Sequence, residues 1–219
     1  MNAGSGTRTR TARGPPDFKS DASDQFRHPG SGRVTSGAMT HAVISILAGL
    51  GVAGQALVVL LVLLLVVARA GLRTLLWGYE LWAAFVVAAI ATGGSLFLSQ
   101  VAGFIPCEMC WFQRICMYPL SLLLLFLAWH GDNRSARYLV PFPVIGAGVS
   151  IYHLLIENHV VATPAQCQVG AGCTVKWINY FGYMTIPTLA LTAFVLLTVF
   201  LGLAAASGDE GGATLPADA

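Results

Sequence analysis

The sequence predicts an all-α membrane protein with five transmembrane spans, on three observations. Of the 219 residues, 56% are hydrophobic and only 10% are charged, where a soluble domain carries about 25% charge. The mean hydropathy is +0.70. The apolar residues gather into five runs long enough to cross a hydrocarbon core of about 30 Å, which places the chain in a bilayer. A formal net charge of +2, with no aromatic interleaving among the basic residues, excludes nucleic acid as a partner.

Residues 1–38 are rich in Gly, Ser, Thr, Arg and Asp. They hold too little apolar surface to offset ordering, so a disordered polar tail is expected. Met39 stands just before the first apolar run and is a candidate translation start. Residues 41–68 carry no Asp, Glu, Lys or Arg and form the first span. Ala68-Arg69-Ala70 looks like a signal-peptidase site, but the run exceeds the 7–15 apolar residues, roughly, of a signal sequence, so a retained helix is expected. The second to fifth runs cover residues 81–105, 111–129, 139–156 and 181–206. Pro119, Pro141, Pro143 and Pro187 fall within or at the start of the last three, where neighbouring helices must satisfy the backbone groups a proline frees. The stretch after Ser207 is small, polar and acidic, and reads as a second tail.

Basic residues in short loops mark the cytoplasmic side. Arg69 and Arg73 follow the first span, and Arg134 and Arg137 follow the third. With five spans these loops share one side. The Cys107/Cys110 turn and the loop over residues 157–180 then share the other, oxidising side. The tail runs against this, because Arg8, Arg10, Arg13, Lys19, Arg27 and Arg33 would lie outside. Only Arg33 is close enough to a span to count for much, and a start at Met39 removes the conflict.

The five cysteines are Cys107, Cys110, Cys116, Cys167 and Cys173. Pro106 suits the first position of a helix, which places Cys107 and Cys110 in the first turn of the third span. Unpaired N–H groups and the dipole at a helix N-terminus favour a thiolate, the form that exchanges with disulfides. Arg114 follows Cys110 by four residues and shares its helix face, adding a fixed positive charge. An arginine inside a span needs a reason. It either anchors the helix end among Trp111, Tyr118 and lipid headgroups, or it serves the sulfur site. A CxxC is also half of a zinc site, and Cys107, Cys110, Cys167 and Cys173 together could make a four-thiolate one. Beside an arginine at an outer face that reading is disfavoured, and no metal is expected.

Cys167 and Cys173 are separated by five residues that include Gly170 and Gly172, a loop able to close a disulfide. It is either a static staple or a mobile pair presented to an outside protein. Two pairs on one face suggest a relay: electrons enter at the loop pair, pass to the helix-end pair by exchange, and leave to a lipid-soluble acceptor near Cys110. A quinone, with its ring among apolar side chains and a carbonyl oxygen on Arg114, suits that place.

Several segments resemble the DsbB/BdbC family of bacterial disulfide-bond formation membrane proteins, nearer its BdbC branch. The likeness runs over about residues 89–194. It rests on Ser95-Leu96-Phe97, on Gly103-Phe104-Ile105-Pro106, and on CEMCWFQRICMYP from Cys107 to Pro119. It continues in Tyr152-His153, the Cys167/Cys173 loop, and Gly182 to Leu191. The resemblance implies a four-helix transmembrane bundle, here spans two to five, with the first span as an extra N-terminal helix. The organisation is then a tail over 1–38, the extra helix over 39–70, the bundle over 71–206 and a tail over 207–219. It also implies quinone-linked oxidation (ubiquinone or menaquinone) of a thioredoxin-fold dithiol oxidase of the DsbA/BdbD type, at the extracytoplasmic face of a bacterial cell membrane. Such an oxidase can have a potential near −120 mV, and about 30 mV corresponds to 1.4 kcal/mol for two electrons, so its reoxidation needs an acceptor of higher potential.

By the same resemblance Cys107 and Cys110 are the quinone-linked pair, with Cys110 beside the quinone and Arg114 in contact with it. Cys167 takes the mixed disulfide with the partner, and Cys173 exchanges with Cys107. His153 is a quinone neighbour, or else a polar helix-end residue facing the loop. Gln113 holds the guanidinium or a quinone oxygen, or simply packs. Cys116, six residues after Cys110, reads as a small buried side chain. Two other readings stand beside this one. Vitamin K epoxide reductase-like proteins also set a CxxC against a quinone, with electrons running the opposite way. A metal-binding or scaffold membrane protein with stapled loops is the non-enzymatic alternative.

Overall fold

In a bilayer core no water is available to backbone N–H and C=O groups, so each apolar run must bond within itself as a helix. The computed structural model describes residues 33–68, 78–168 and 172–212 and forms α1 (Arg33–Val67), α2 (Glu80–Gln100), α3 (Glu108–His130), α4 (Ala136–Leu139), α5 (Pro141–Glu157) and α6 (Ile186–Gly212). A short 3-10 turn, Ala165–Gln168, lies in the loop between α5 and α6. Among the described residues there is no strand, only one isolated bridge between Tyr180 and Met184. Among the described residues five helical stretches are long and apolar enough to cross a membrane, with α4 and α5 sharing the fourth, Ala136–Glu157. The expected all-α protein with five spans is therefore observed. Residues 1–32 of the expected tail, and Arg69 and Arg73 of the expected basic loop, lie outside the described residues.

Local chemistry explains the breaks. Gly131 closes α3 in the left-handed region at φ 66°, its N–H bonded to the Leu127 carbonyl. Pro141 and Pro143 sit in the first turn of α5, whose own ladder does not use their N–H groups. Pro119 is the exception, inside α3, where it cannot donate to the Ile115 carbonyl.

The bundle consists of α2, α3, α4/α5 and α6: α2 packs on α3 and α6, and α5 on the same two helices. Its interior holds the fully buried Leu120, Leu124, Phe194, Leu197 and Leu201. Helices in lipid gain nothing from hiding apolar surface, so close packing must hold them together, and small residues permit it. At Gly146 of α5 a Cβ would come within 2.7 Å of Phe194 Cδ1, so only glycine lets α5 settle on that ring.

Two ends are distinguishable. At one, the buried Glu80 carboxylate accepts the Gly78 N–H at 2.8 Å and lies 3.1 Å from Ser207 Oγ. Gly208 there presses on the backbone of Arg134. The expected boundary at residue 207 falls inside α6: Ser207 is buried, and the helix runs on to Gly212. All the paired cysteines lie at the other end.

The first helix is peripheral. Only 11% of its spanning window is buried, against 50% for α6. It begins at Arg33, before the expected position 41. Ser45 Oγ lies 3.0 Å from Tyr180 Oη, and Tyr183 Oη donates to Gln55 Oε1 at 3.2 Å. Gly51 faces Leu189 and Met184, and Gly54 faces Thr192.

Candidate functional site

Pro106 was expected as the first helical residue. Instead Cys107 is the N-cap of α3, extended at φ −72° and ψ 172°, with Pro106 just before it. Cys107 is therefore placed over the free N–H groups of the first turn, where negative charge is favoured. The turn brings Cys107 Sγ to 3.0 Å from Cys110 Sγ, and neither is in a disulfide. The Cys107 thiol is lowered to about 4, first by the hydrogen bond from Cys110 and then by His153, while burial opposes the shift.

His153, in the last turn and a half of α5, is 3% exposed. Its Nε2 lies 3.2 Å from the Cys173 carbonyl and 3.6 Å from Cys107 Sγ. A carbonyl only accepts, so the proton of a neutral ring sits on Nε2 and points at both groups. Nδ1 is buried without a partner.

Cys167 and Cys173 form a disulfide with Cα atoms 5.2 Å apart. Its position differs from an exposed, presented pair. Cys167 and Cys173 are 2% and 1% exposed, and they pack with Cys107, Met109 and Ile156. The 3-10 turn and the Cys173 N–H bond to the Cys167 carbonyl fold the pair inward onto the head of α3. Cys107 Sγ, Cys173 Sγ and a His153 ring nitrogen lie within 4.8 Å of one another. The sulfur of Cys173 is in a disulfide, so this trio does not offer the set of thiolates a zinc site needs. What it offers is a thiol against a disulfide, the arrangement that thiol–disulfide exchange requires.

Arg114 is held across helices. Its Nε donates to Ser95 Oγ at 3.0 Å and Nη2 to the Ser95 carbonyl at 3.2 Å. Tyr118 Oη donates to the same Ser95 Oγ at 3.2 Å, and the guanidinium lies 5.3 Å from the Trp111 ring centre. Thus Ser95 of α2 holds the guanidinium, and the Gln113 amide nitrogen, 6% exposed as a residue, has no partner. A cavity of about 380 Å³ opens here, lined by Cys110, Gln113, Arg114, Tyr118 and His153 at one end and by apolar side chains of α1, α2 and α6 beyond. Cys116 is half-buried against the core and absent from that lining.

Ser95 was quoted for its motif but not as the partner of Arg114. The signal available was general: a charge inside a span demands a polar neighbour. Glu157 was missed as well. It is 3% exposed, lines the cavity, and meets Lys176 Nζ at 3.7 Å.

Residues 79–204 match the family described as Disulfide bond formation protein DsbB. Disulfide bond formation protein C of Bacillus subtilis is 47% identical over 125 residues, covering 56% of this chain and 90% of that protein. Probable disulfide formation protein C 1 of Bacillus anthracis is 42% identical over 122 residues, 55% of this chain and 88% of that protein. Probable disulfide formation protein of Metapseudomonas resinovorans is 35% identical over 119 residues, 53% and 83% respectively. No solved structure matches.

Proposed function

The chain belongs to the DsbB family of disulfide bond formation proteins, and on that premise we propose that it is a membrane thiol:quinone oxidoreductase. It reoxidises an extracytoplasmic thioredoxin-fold partner of the DsbA/BdbD type and delivers the electron pair to ubiquinone or menaquinone, so driving disulfide formation in exported proteins. The observation that carries this reading is the meeting of Cys107 Sγ, Cys173 Sγ and His153 within 4.8 Å.

The partner's thiolate attacks Cys167, the Cys167–Cys173 bond breaks, and Cys173 leaves as a thiolate. The partner's second thiolate then attacks its own sulfur in the mixed disulfide, releasing oxidised partner and Cys167 as a thiolate. Cys173 attacks Cys107 of the Cys107–Cys110 disulfide, and Cys167 resolves the product. This restores the loop disulfide and leaves Cys107 and Cys110 reduced, the arrangement of the four sulfurs observed. The Nε2–H of His153 steadies negative charge on Cys107 as it forms. Because Cys167 is buried, the loop must swing outward before the partner engages.

A quinone fits the donors present. Gln113 Nε2 is a buried donor with no acceptor, Arg114 is fixed by Ser95 at the same end of the cavity, and the α1 wall is apolar. Gln113, Arg114 and His153 would hold the ring beside Cys110. When bound, the quinone supplies a sink for two electrons and two protons as the Cys107–Cys110 disulfide re-forms.

Purified protein given reduced partner and quinone is expected to consume one quinone per dithiol oxidised. Cys110→Ser abolishes that consumption, and an undiminished rate in this variant would sink the assignment. Reduction of the protein by quinol, but not by partner thiol, would instead reverse the direction of flow, as in vitamin K epoxide reductase-like proteins.

A further inference from the structure

We propose that α1, the helix outside the family match, forms the lipid-side wall of the cavity and selects the quinone by its isoprenoid chain. The proposal rests on the thiol:quinone reading above and extends it to a specificity element.

Four observations support it. First, α1 lines the cavity with Leu47, Leu50, Gly51, Ala53, Gly54 and Leu57. Apart from Ala53, beside Gly54, they recur at spacings of one, three and four, which puts them on one helix face. Second, that face is apolar throughout, whereas Cys110, Gln113, Arg114 and His153 all come from α3 and α5. The cavity thus has polar groups on α3 and α5 for a carbonyl-bearing ring and an apolar α1 wall for branched hydrocarbon. Third, α1 is registered against the bundle by the Ser45–Tyr180 and Gln55–Tyr183 contacts, and Gly51 and Gly54 let it approach α6. At Gly54 a Cβ would lie 3.1 Å from Thr192 Cγ2, so the width of the slot is set by residues without side chains. Fourth, all four paired cysteines and Arg114 lie within residues 79–204, while α1 ends at Val67. The sulfur chemistry therefore resides in the family bundle, and α1 contributes wall.

Leu50 and Leu57 both line the cavity and are 45% and 37% exposed, so they form a rim through which it opens toward lipid. A chain of isoprene units lying on Ala53 between them would fill the slot, and a ring without such a chain would leave that slot empty. The helix then discriminates between acceptors by tail length, through contacts remote from the ring.

The test uses the full-length protein in lipid nanodiscs with reduced partner. It compares two quinones of identical ring, one with a long isoprenoid tail and one nearly tail-less. Ala53→Trp is expected to raise the Kd of the long-tailed quinone, read by equilibrium binding with no partner present, and its KM about tenfold or more, with both constants for the short one within about twofold and kcat unchanged. Val59→Trp, on a lipid-facing position of the same helix that is 67% exposed, is expected to change neither. Leu50→Ala, which enlarges the rim and adds no bulk, is expected to weaken the discrimination between tails and serves if Ala53→Trp does not fold. Equal effects on both quinones, or none on either, in these two variants would overturn the proposal while leaving the oxidase reading intact. Wild-type protein that turns over neither quinone would overturn the oxidase reading, and this one with it.

Discussion

Cys107 gathers more stabilisation for negative charge than any spacing argument assigns to it. It caps α3, accepts from the Cys110 thiol 3.0 Å away, and faces His153 Nε2. Its pKa of about 4 is below the ordinary thiol value, so the thiolate is the populated form above that pH and is lost only as the pH falls through it. In protein with the loop disulfide intact, alkylation of Cys107 by a small reagent is expected to proceed at a rate that is flat from about pH 6 to 8. Removing the largest cause, by Cys110→Ala, should move the midpoint upward, so that the rate climbs with pH over the same range. Mass spectrometry of the labelled peptide reads both profiles, and a flat profile in Cys110→Ala would show that the hydrogen bond is not the cause. The positions of Cys107, Cys110 and Arg114 were legible in the sequence, because contiguous spacing on one helix fixes them. The sequence put the activating charge, Arg114, on the face of Cys110, whereas the activated sulfur is Cys107, since the contribution of His153 arrives from 46 residues away. The Ser95 clamp on Arg114 was hidden for the same reason: no local rule pairs side chains on different helices.

At the scale of elements, spans announced themselves and their joints did not. Apolar runs alone located five helices, but polarity after residue 206 was read as the end of α6. Ser207 lies within the helix and meets Glu80 across the bundle. Packing by small residues was equally silent, since Gly146 and Gly148 look alike in sequence and differ only in what stands opposite. A Cβ at Gly146 would strike the Phe194 ring, whereas one at Gly148 would meet nothing within 4 Å. Gly146→Ala should therefore destabilise the protein by about 1–3 kcal/mol through overpacking. Gly148→Ala should be neutral or slightly stabilising, because alanine is favoured over glycine in a helix by roughly 1 kcal/mol. Thermal unfolding midpoints in one detergent compare the two, and equal midpoints would mean that Phe194 yields at no cost.

Across the whole molecule the sulfur site and the basic connection sort to opposite ends. Ser45 near the start of α1, Cys107 at the head of α3, His153 near the close of α5 and the disulfide loop meet at one end. Glu80, Arg134 and Gly208 meet at the other. Five crossings require this alternation, and it puts the C-terminal end of α6 opposite the sulfurs. Arg134 lies in the short connection at the second end and Arg137 in the first turn beyond it, and basic residues beside a span end stay in the cytoplasm. The sulfur end should then face outward, where disulfides persist. In intact cells, after mild reduction, a membrane-impermeant maleimide is expected to label Cys167 and Cys173, and a reporter fused behind residue 219 should be active only in the cytoplasm. Labelling that appears only after permeabilisation would invert the topology. A disulfide loop exposed to cytosolic reductants would have no exported partner to oxidise, so that single result would remove the compartment on which the electron path depends.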